Sequence, residues 1–195
     1  MDSTDGAGGV FGHTATGVGD DVYIFGGVSS AGGRKDSMTR LTVKGAEKGG
    51  GEGTSASQCA LGPPPTPLFV GRAWHSTAYS PSTNSLVSYG GRTHPSDPRS
   101  DVIAYDVAAS EWFAPQQVGQ GVARYRHSMT ALDPGPEGAD SYLIFGGSDG
   151  LSAISHPQIM VVSKQQGGGG DGRGSVQCTW MDAEFEGADL PPEAR

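Results

Sequence analysis

Short apolar runs with strand-like alternation recur along the chain, and three of them end in a pair of glycines. They read YIFGG from Tyr23 to Gly27, VSYGG from Val87 to Gly91 and LIFGG from Leu143 to Gly147. Alternation with a period of two marks half-buried strands, and no window carries the 3.6-residue apolar period of a helix. Glycine tolerates positive φ and the close approach of a second backbone. The pairs Gly26 and Gly27, Gly90 and Gly91, and Gly146 and Gly147 therefore predict strand ends where neighbouring segments crowd in. The pattern predicts an all-β chain of many short strands joined by turns.

The residues around these runs repeat as well. A histidine with small hydroxyl or alanine neighbours precedes each pair: His13, His75 and His127. A further alternating strand follows, clearest as DVIAYD from Asp101 to Asp106, with Ser37 to Val43 and Gln158 to Ser163 as its counterparts. A fourth strand carries Trp112 in SEWFA and Trp180 in QCTWM, while Leu61 in QCAL stands at that place in the first repeat. Arg72 and Arg124 each lie three residues before the histidine, Arg195 takes the same phase, and Val10 stands where a first arginine would be. Self-similarity of this kind is the signature of a repeat architecture.

Glycine pairs followed by Tyr105, Asp106 and, seven residues after the tyrosine, Trp112 resemble the kelch repeat. The resemblance runs from about Val10 to Arg195. It departs from the family at Leu61 and at Met160 and Val161, which replace the tyrosine and aspartate in the third repeat. It implies an all-β β-propeller made of four-stranded antiparallel kelch blades. About three blades are expected, at 10–71, 72–123 and 124–195, behind a disordered segment 1–9. Propellers usually have four to eight blades, so the ring is expected to be incomplete and the chain a piece of a longer protein. The resemblance also implies that Phe25, Tyr89, Phe145, Tyr105, Trp112 and Trp180 pack between blades.

Composition refines this picture. Glycine (33 residues) concentrates in insertions at 45–57 and 165–175, and glycine alternates with proline in the turn 133–140, stretches that cannot pack a core. A net charge of −8 argues against nucleic acid as a partner. No stretch is long and apolar enough to span a membrane, and the acidic N-terminus is not a secretory signal. Cys59 and Cys178 alone make neither a disulfide framework nor a zinc site. These features predict a cytoplasmic or nuclear protein with no membrane partner.

Candidate chemistry is sparse. Three histidines at equivalent places suit a structural role, since one metal site needs no copy per repeat. His94 and His156 lack acidic or cysteine partners at ligand spacing. G-x-S-x-G and the phosphate-binding glycine loop are absent, as is the E-x-x-x-D-x-x-x-H string of the nitrile-specifier proteins. No catalytic, cofactor-binding or metal residue is expected, nor any cofactor, and the chain is not expected to be an enzyme. Strand alternation gathers Arg34, Lys35, Arg72, Arg92, His94, Arg99 and Arg124 on one locally basic face. The kelch resemblance then implies a protein-interaction scaffold that binds an unidentified protein through its loops, an acidic peptide suiting that face. Its alternatives are a substrate-recruiting or regulatory segment of a larger enzyme or ubiquitin-ligase adaptor, and a galactose-oxidase-like propeller enzyme. Unclosed blade edges further predict self-association.

Overall fold

The computed structural model describes residues 9–42, 55–57, 70–134, 138–165 and 175–183, and within them every glycine-pair strand runs antiparallel between two neighbours. A short ribbon joins β1 (Val10–Phe11) to β4 (Val28–Ser29). The first sheet has the order β2 (Thr14–Val18), β3 (Asp21–Phe25), β5 (Met38–Thr42) and β6 (Ser55–Ser57). The second has the order β7 (Ser76–Ser80), β8 (Ser85–Tyr89), β11 (Val102–Asp106) and β12 (Glu111–Phe113). A ribbon of β9 (Arg92–His94) and β10 (Asp97–Pro98) leaves β8 just after its glycines. The third sheet has five strands in the order β14 (Ser128–Ala131), β15 (Asp140–Phe145), β16 (Gln158–Lys164), β17 (Val176–Asp182) and β13 (Gln116–Val118). β13 runs parallel to β17.

Alternation along these strands decides how the sheets stack. Tyr23, Phe25 and Met38 share one core with Leu86, Ile103, Tyr105 and Trp112 of the second sheet. The other face of that sheet, with Val87, Tyr89, Val102 and Ala104, packs on Tyr142, Ile144, Met160, Val162, Cys178 and Trp180. A sheet covered on both sides loses the apolar-polar alternation, and every residue of β8 is buried. An aromatic contact marks each junction. The rings of Phe25 and Trp112 lie 4.7 Å apart, and those of Tyr89 and Trp180 lie 4.6 Å apart. Such a pair adds about 0.5–1.5 kcal/mol beyond its area burial. Phe145, at the equivalent position in the third sheet, is 39% exposed.

The glycine pairs are where successive sheets meet backbone to backbone. Gly27 N–H donates to the Arg72 carbonyl and Gly91 N–H to the Arg124 carbonyl, both at 2.9 Å. Gly26 and Gly90 have φ of 68° and 65°, and a Cβ on either would lie 2.6 Å from one of those carbonyls. Gly146 shares the left-handed backbone (φ 72°), yet no described atom lies within 4 Å of its would-be Cβ. Gly146→Ala therefore meets only the backbone penalty, about 1–2 kcal/mol. Gly90→Ala adds a steric conflict of about 1–3 kcal/mol. Thermal melts should show the larger loss for Gly90→Ala, and equal losses would mean that the junction tolerates a methyl group.

The kelch resemblance does not carry through to the architecture. Among the described residues the sheets hold two to five strands each, and none closes or curls into the radial blades of a propeller or a barrel. Two features break the uniform pattern. β13, from the linker between repeats, adds to the third sheet as a parallel fifth strand, and the β1–β4 and β9–β10 ribbons stand as separate two-stranded sheets. The expected incomplete ring of about three four-stranded kelch blades, in a galactose-oxidase-like propeller fold, is replaced among the described residues by an open all-β stack of unequal sheets. Most of the insertions at 45–57 and 165–175, together with Cys59, Leu61 and Arg195, lie outside the described residues.

Candidate functional site

The basic residues grouped by the sequence separate once they are placed. Arg72 and Arg124 are fully buried. Arg72 donates through Nη1 to the Gly90 carbonyl (3.1 Å) and through Nη2 to Asp101 Oδ2 (2.7 Å). Arg124 donates to the carbonyls of Gly146 (3.1 Å), His156 (3.2 Å) and Val122 (3.3 Å) and to Gln158 Oε1 (3.3 Å). These side chains clamp each junction from inside and are not part of a surface. Burial pushes the Asp101 carboxyl upward, but the Arg72 and Arg99 guanidiniums outweigh it and hold the group below the usual range.

The repeated histidines are placed beside the clamps. His75 stacks edge-on against Phe25 at 4.8 Å, and His127 against Tyr89 at 5.2 Å. His75 Nε2 pairs with Thr14 Oγ1 at 3.0 Å, whereas neither ring nitrogen of His127 has a partner among the described residues. Loss of solvent, then the adjacent arginine charge, pushes both down to about 3, so both imidazoles are neutral. His13 is exposed.

Of the remaining basic residues, Arg99 is neutralised by Asp101 (3.0 Å) and Asp97 (3.6 Å). It lines a cleft of about 420 Å³ with Pro98, Asp101, Gln117 and Gln120, so that cleft offers a ligand no unmatched charge. His94 is exposed and pairs with Ser96 Oγ, while Arg34 and Lys35 are half-buried. Among the described residues, no group of three or more His, Cys, Asp or Glu is placed to hold a metal ion. Burial pushes the Cys178 thiol up to about 12, which leaves it protonated and unreactive.

Arg92 is the exception. Its guanidinium carbon lies 4.4 Å from the Trp74 ring centroid and 4.6 Å from that of Tyr125. Arg126 approaches the same rings at 5.5 and 5.9 Å, and Phe11, 56% exposed, meets Trp74 edge-on at 5.9 Å. Local backbone builds this cluster. Trp74 and Arg126 occupy equivalent places between the buried arginine and the buried histidine, and both have left-handed backbone, with φ of 57° and 60°. That conformation is unusual for non-glycine residues and often marks functional positions. It is held by Trp74 N–H donating to Gly12 O (2.7 Å) and Arg126 N–H donating to Trp74 O (2.8 Å). Arg92 is brought in by its bridge to Ala73, and Tyr125 is held by its bridge to Ser148. Arg92 Nη1 donates to the Pro95 carbonyl (3.2 Å), but no described carboxylate forms an ion pair with Arg92 or Arg126. Each stacked guanidinium contributes about 0.5–2 kcal/mol while keeping its charge and donor edge.

Sequence reasoning reached only Arg92 of this cluster. Trp74 and Tyr125 lie in linkers with no periodicity, and nothing local signals left-handed backbone at a tryptophan or an arginine. The closest available signal was the spacing that sets Trp74 and Arg126 two residues after Arg72 and Arg124.

No protein-family model and no curated protein matches this chain. The propeller scaffold binding an acidic peptide through its loops loses its basis with the propeller itself, and two of its seven face residues are internal. The adaptor and galactose-oxidase-like alternatives rested on the same resemblance and fall with it.

Proposed function

We propose that this chain is a non-catalytic recognition module that captures a carboxylate-bearing ligand on the cluster of Trp74, Arg92, Tyr125 and Arg126. The observation that carries the reading is the Arg92 guanidinium stacked between two aromatic rings with no acidic partner among the described residues. A planar guanidinium matches a carboxylate bidentately, and stacking orients that fork without neutralising it. The flanking rings and Phe11 supply apolar contact for the body of the ligand. Tryptophan, tyrosine and arginine are also the residues that dominate binding energy at interfaces.

Benzoate and its neutral isostere benzamide test the reading, with the fluorescence of Trp74 as the reporter. Benzoate should quench the signal saturably, and benzamide should not. The double variant R92A/R126A should bind benzoate at least about tenfold more weakly, because a charge-assisted hydrogen bond contributes about 1.5–3 kcal/mol. A W74F variant assigns the signal to this ring. Equal responses to benzoate and benzamide, or unchanged affinity in the double variant, would overturn the proposal.

A further inference from the structure

The cluster of Trp74, Arg92, Tyr125 and Arg126 holds two guanidiniums on the same pair of rings. Arg92 lies 4.4 Å from the Trp74 ring centroid and Arg126 lies 5.5 Å from it. Their guanidinium carbons are therefore at most about 10 Å apart, within one Debye length at moderate salt. Two like charges at that range repel, and stacking on a ring leaves each charge in place.

The two cations are presented differently. Arg92 is half-buried and tied down: its Nη1 donates to the Pro95 carbonyl at 3.2 Å, and its backbone bridges to Ala73. Arg126 is exposed, and its backbone sets its place, left-handed at φ 60° with its N–H donating to Trp74 O at 2.8 Å. That conformation is costly for a residue with a Cβ, so the fold holds this side chain beside the rings against a backbone preference.

The acids that follow these elements in the chain are engaged elsewhere. Asp97, on the same ribbon as Arg92, accepts from the Thr93 hydroxyl and pairs with Arg99 at 3.6 Å. Asp149, next to the Ser148 that bridges to Tyr125, accepts from the backbone N–H groups of Leu151 (2.8 Å) and Ser152 (2.7 Å). Among the described residues neither guanidinium has an ion-paired carboxylate, so the cluster presents two positive charges. A monocarboxylate matches one fork and leaves the other charge unbalanced. Two carboxylates set a few bonds apart match both and relieve the repulsion between them.

We infer that the ligand of this cluster is a dicarboxylate, with one carboxylate paired to Arg92 and the second to Arg126. The apolar spacer between them lies against Trp74 and Phe11, whose exposed ring meets Trp74 edge-on at 5.9 Å. This assignment rests on the carboxylate recognition proposed above and adds to it a second charge and the residue that takes it.

Calorimetric titration of the full chain with isophthalate, 3-carbamoylbenzoate and phenyl phosphate tests this. The first two share size and shape and differ by one negative charge. Isophthalate should bind at least about tenfold more tightly than 3-carbamoylbenzoate, because its second carboxylate gains a charge-assisted hydrogen bond. Most of that preference should be lost in R126A, and R126N should repeat the result with a residue that suits left-handed backbone. Phenyl phosphate carries both charges on one group and should bind more weakly than isophthalate. Equal affinities for isophthalate and 3-carbamoylbenzoate, a preference that survives in both variants, or phenyl phosphate as the tightest ligand would each overturn the inference. If 3-carbamoylbenzoate binds without that preference, the dicarboxylate assignment fails and the carboxylate reading stands. If benzoate itself does not bind, both fail.

Discussion

Replacing Arg124 with methionine is expected to destabilise the fold by about 3–5 kcal/mol, because a buried acceptor left without a donor costs about 1–3 kcal/mol and several are stranded together. The side chain donates to the carbonyls of Val122, Gly146 and His156 and to Gln158 Oε1 from a fully buried position. Methionine matches the apolar stem but supplies no donor. Lysine should recover only part of the loss, since its ammonium group cannot spread donors in a plane toward carbonyls on both sides. Burial already pushes the Arg124 guanidinium down from its ordinary range. The clamp thus stabilises through hydrogen bonds made against a desolvation cost, with no ion-paired carboxylate among the described residues. Urea titration gives the measurement, and a loss below about 1 kcal/mol would show that water replaces the missing donors.

Mild acid is expected to weaken the protein well before its carboxylates titrate. His75 and His127 are held neutral in the fold with values near 3, against about 6.5 in the unfolded chain. Above pH 6.5 both states are neutral at these sites and no stability is at stake. Below it the unfolded chain takes up protons that the folded chain refuses. Stability then falls as pH drops, by about 1.4 kcal/mol per pH unit for each histidine, until the folded values near 3 are reached. At pH 5 the two sites together cost about 4 kcal/mol relative to neutral pH. Asp101 acts in the same direction only lower down, because its folded value is held below the usual carboxylate range and its contribution is lost as pH falls through that value. Comparing urea midpoints at pH 7.5 and pH 5 should show this drop in the parent chain and most of it removed in H75Q/H127Q. An equal drop in both proteins would place the acid sensitivity elsewhere.

These two predictions concern residues that the repeat made visible, while the architecture and the candidate site depended on information the repeat did not hold. The order of Arg72, His75, Gly90 and Gly91, repeated by Arg124, His127, Gly146 and Gly147, was plain in the chain. Its physical meaning was not. Arginine in a linker reads as a solvated charge, and only the placement of the Gly90 and Gly146 carbonyls turns it inward. The same linkers hold Trp74 and Arg126, whose left-handed backbone is imposed by hydrogen bonds to Gly12 and Trp74 in neighbouring repeats. No local rule assigns that conformation to such residues, so the stacked cluster could not be read from their neighbours in the chain.

Local pattern was enough to establish an all-β chain with three related sheets. Alternation, glycine pairs and the absence of a helical period act over a few residues, and backbone sterics translate them directly. Among the described residues, the number of strands in each sheet, the separate two-stranded ribbons and the course of β13 were decided by tertiary contacts. Strand addition and sheet stacking bring together groups far apart in the chain, and many partners could satisfy one edge or face equally well. The repeated arginine, histidine and glycine pair marked a unit shared along the chain, but how such units assemble depends on linkers that each repeat writes differently.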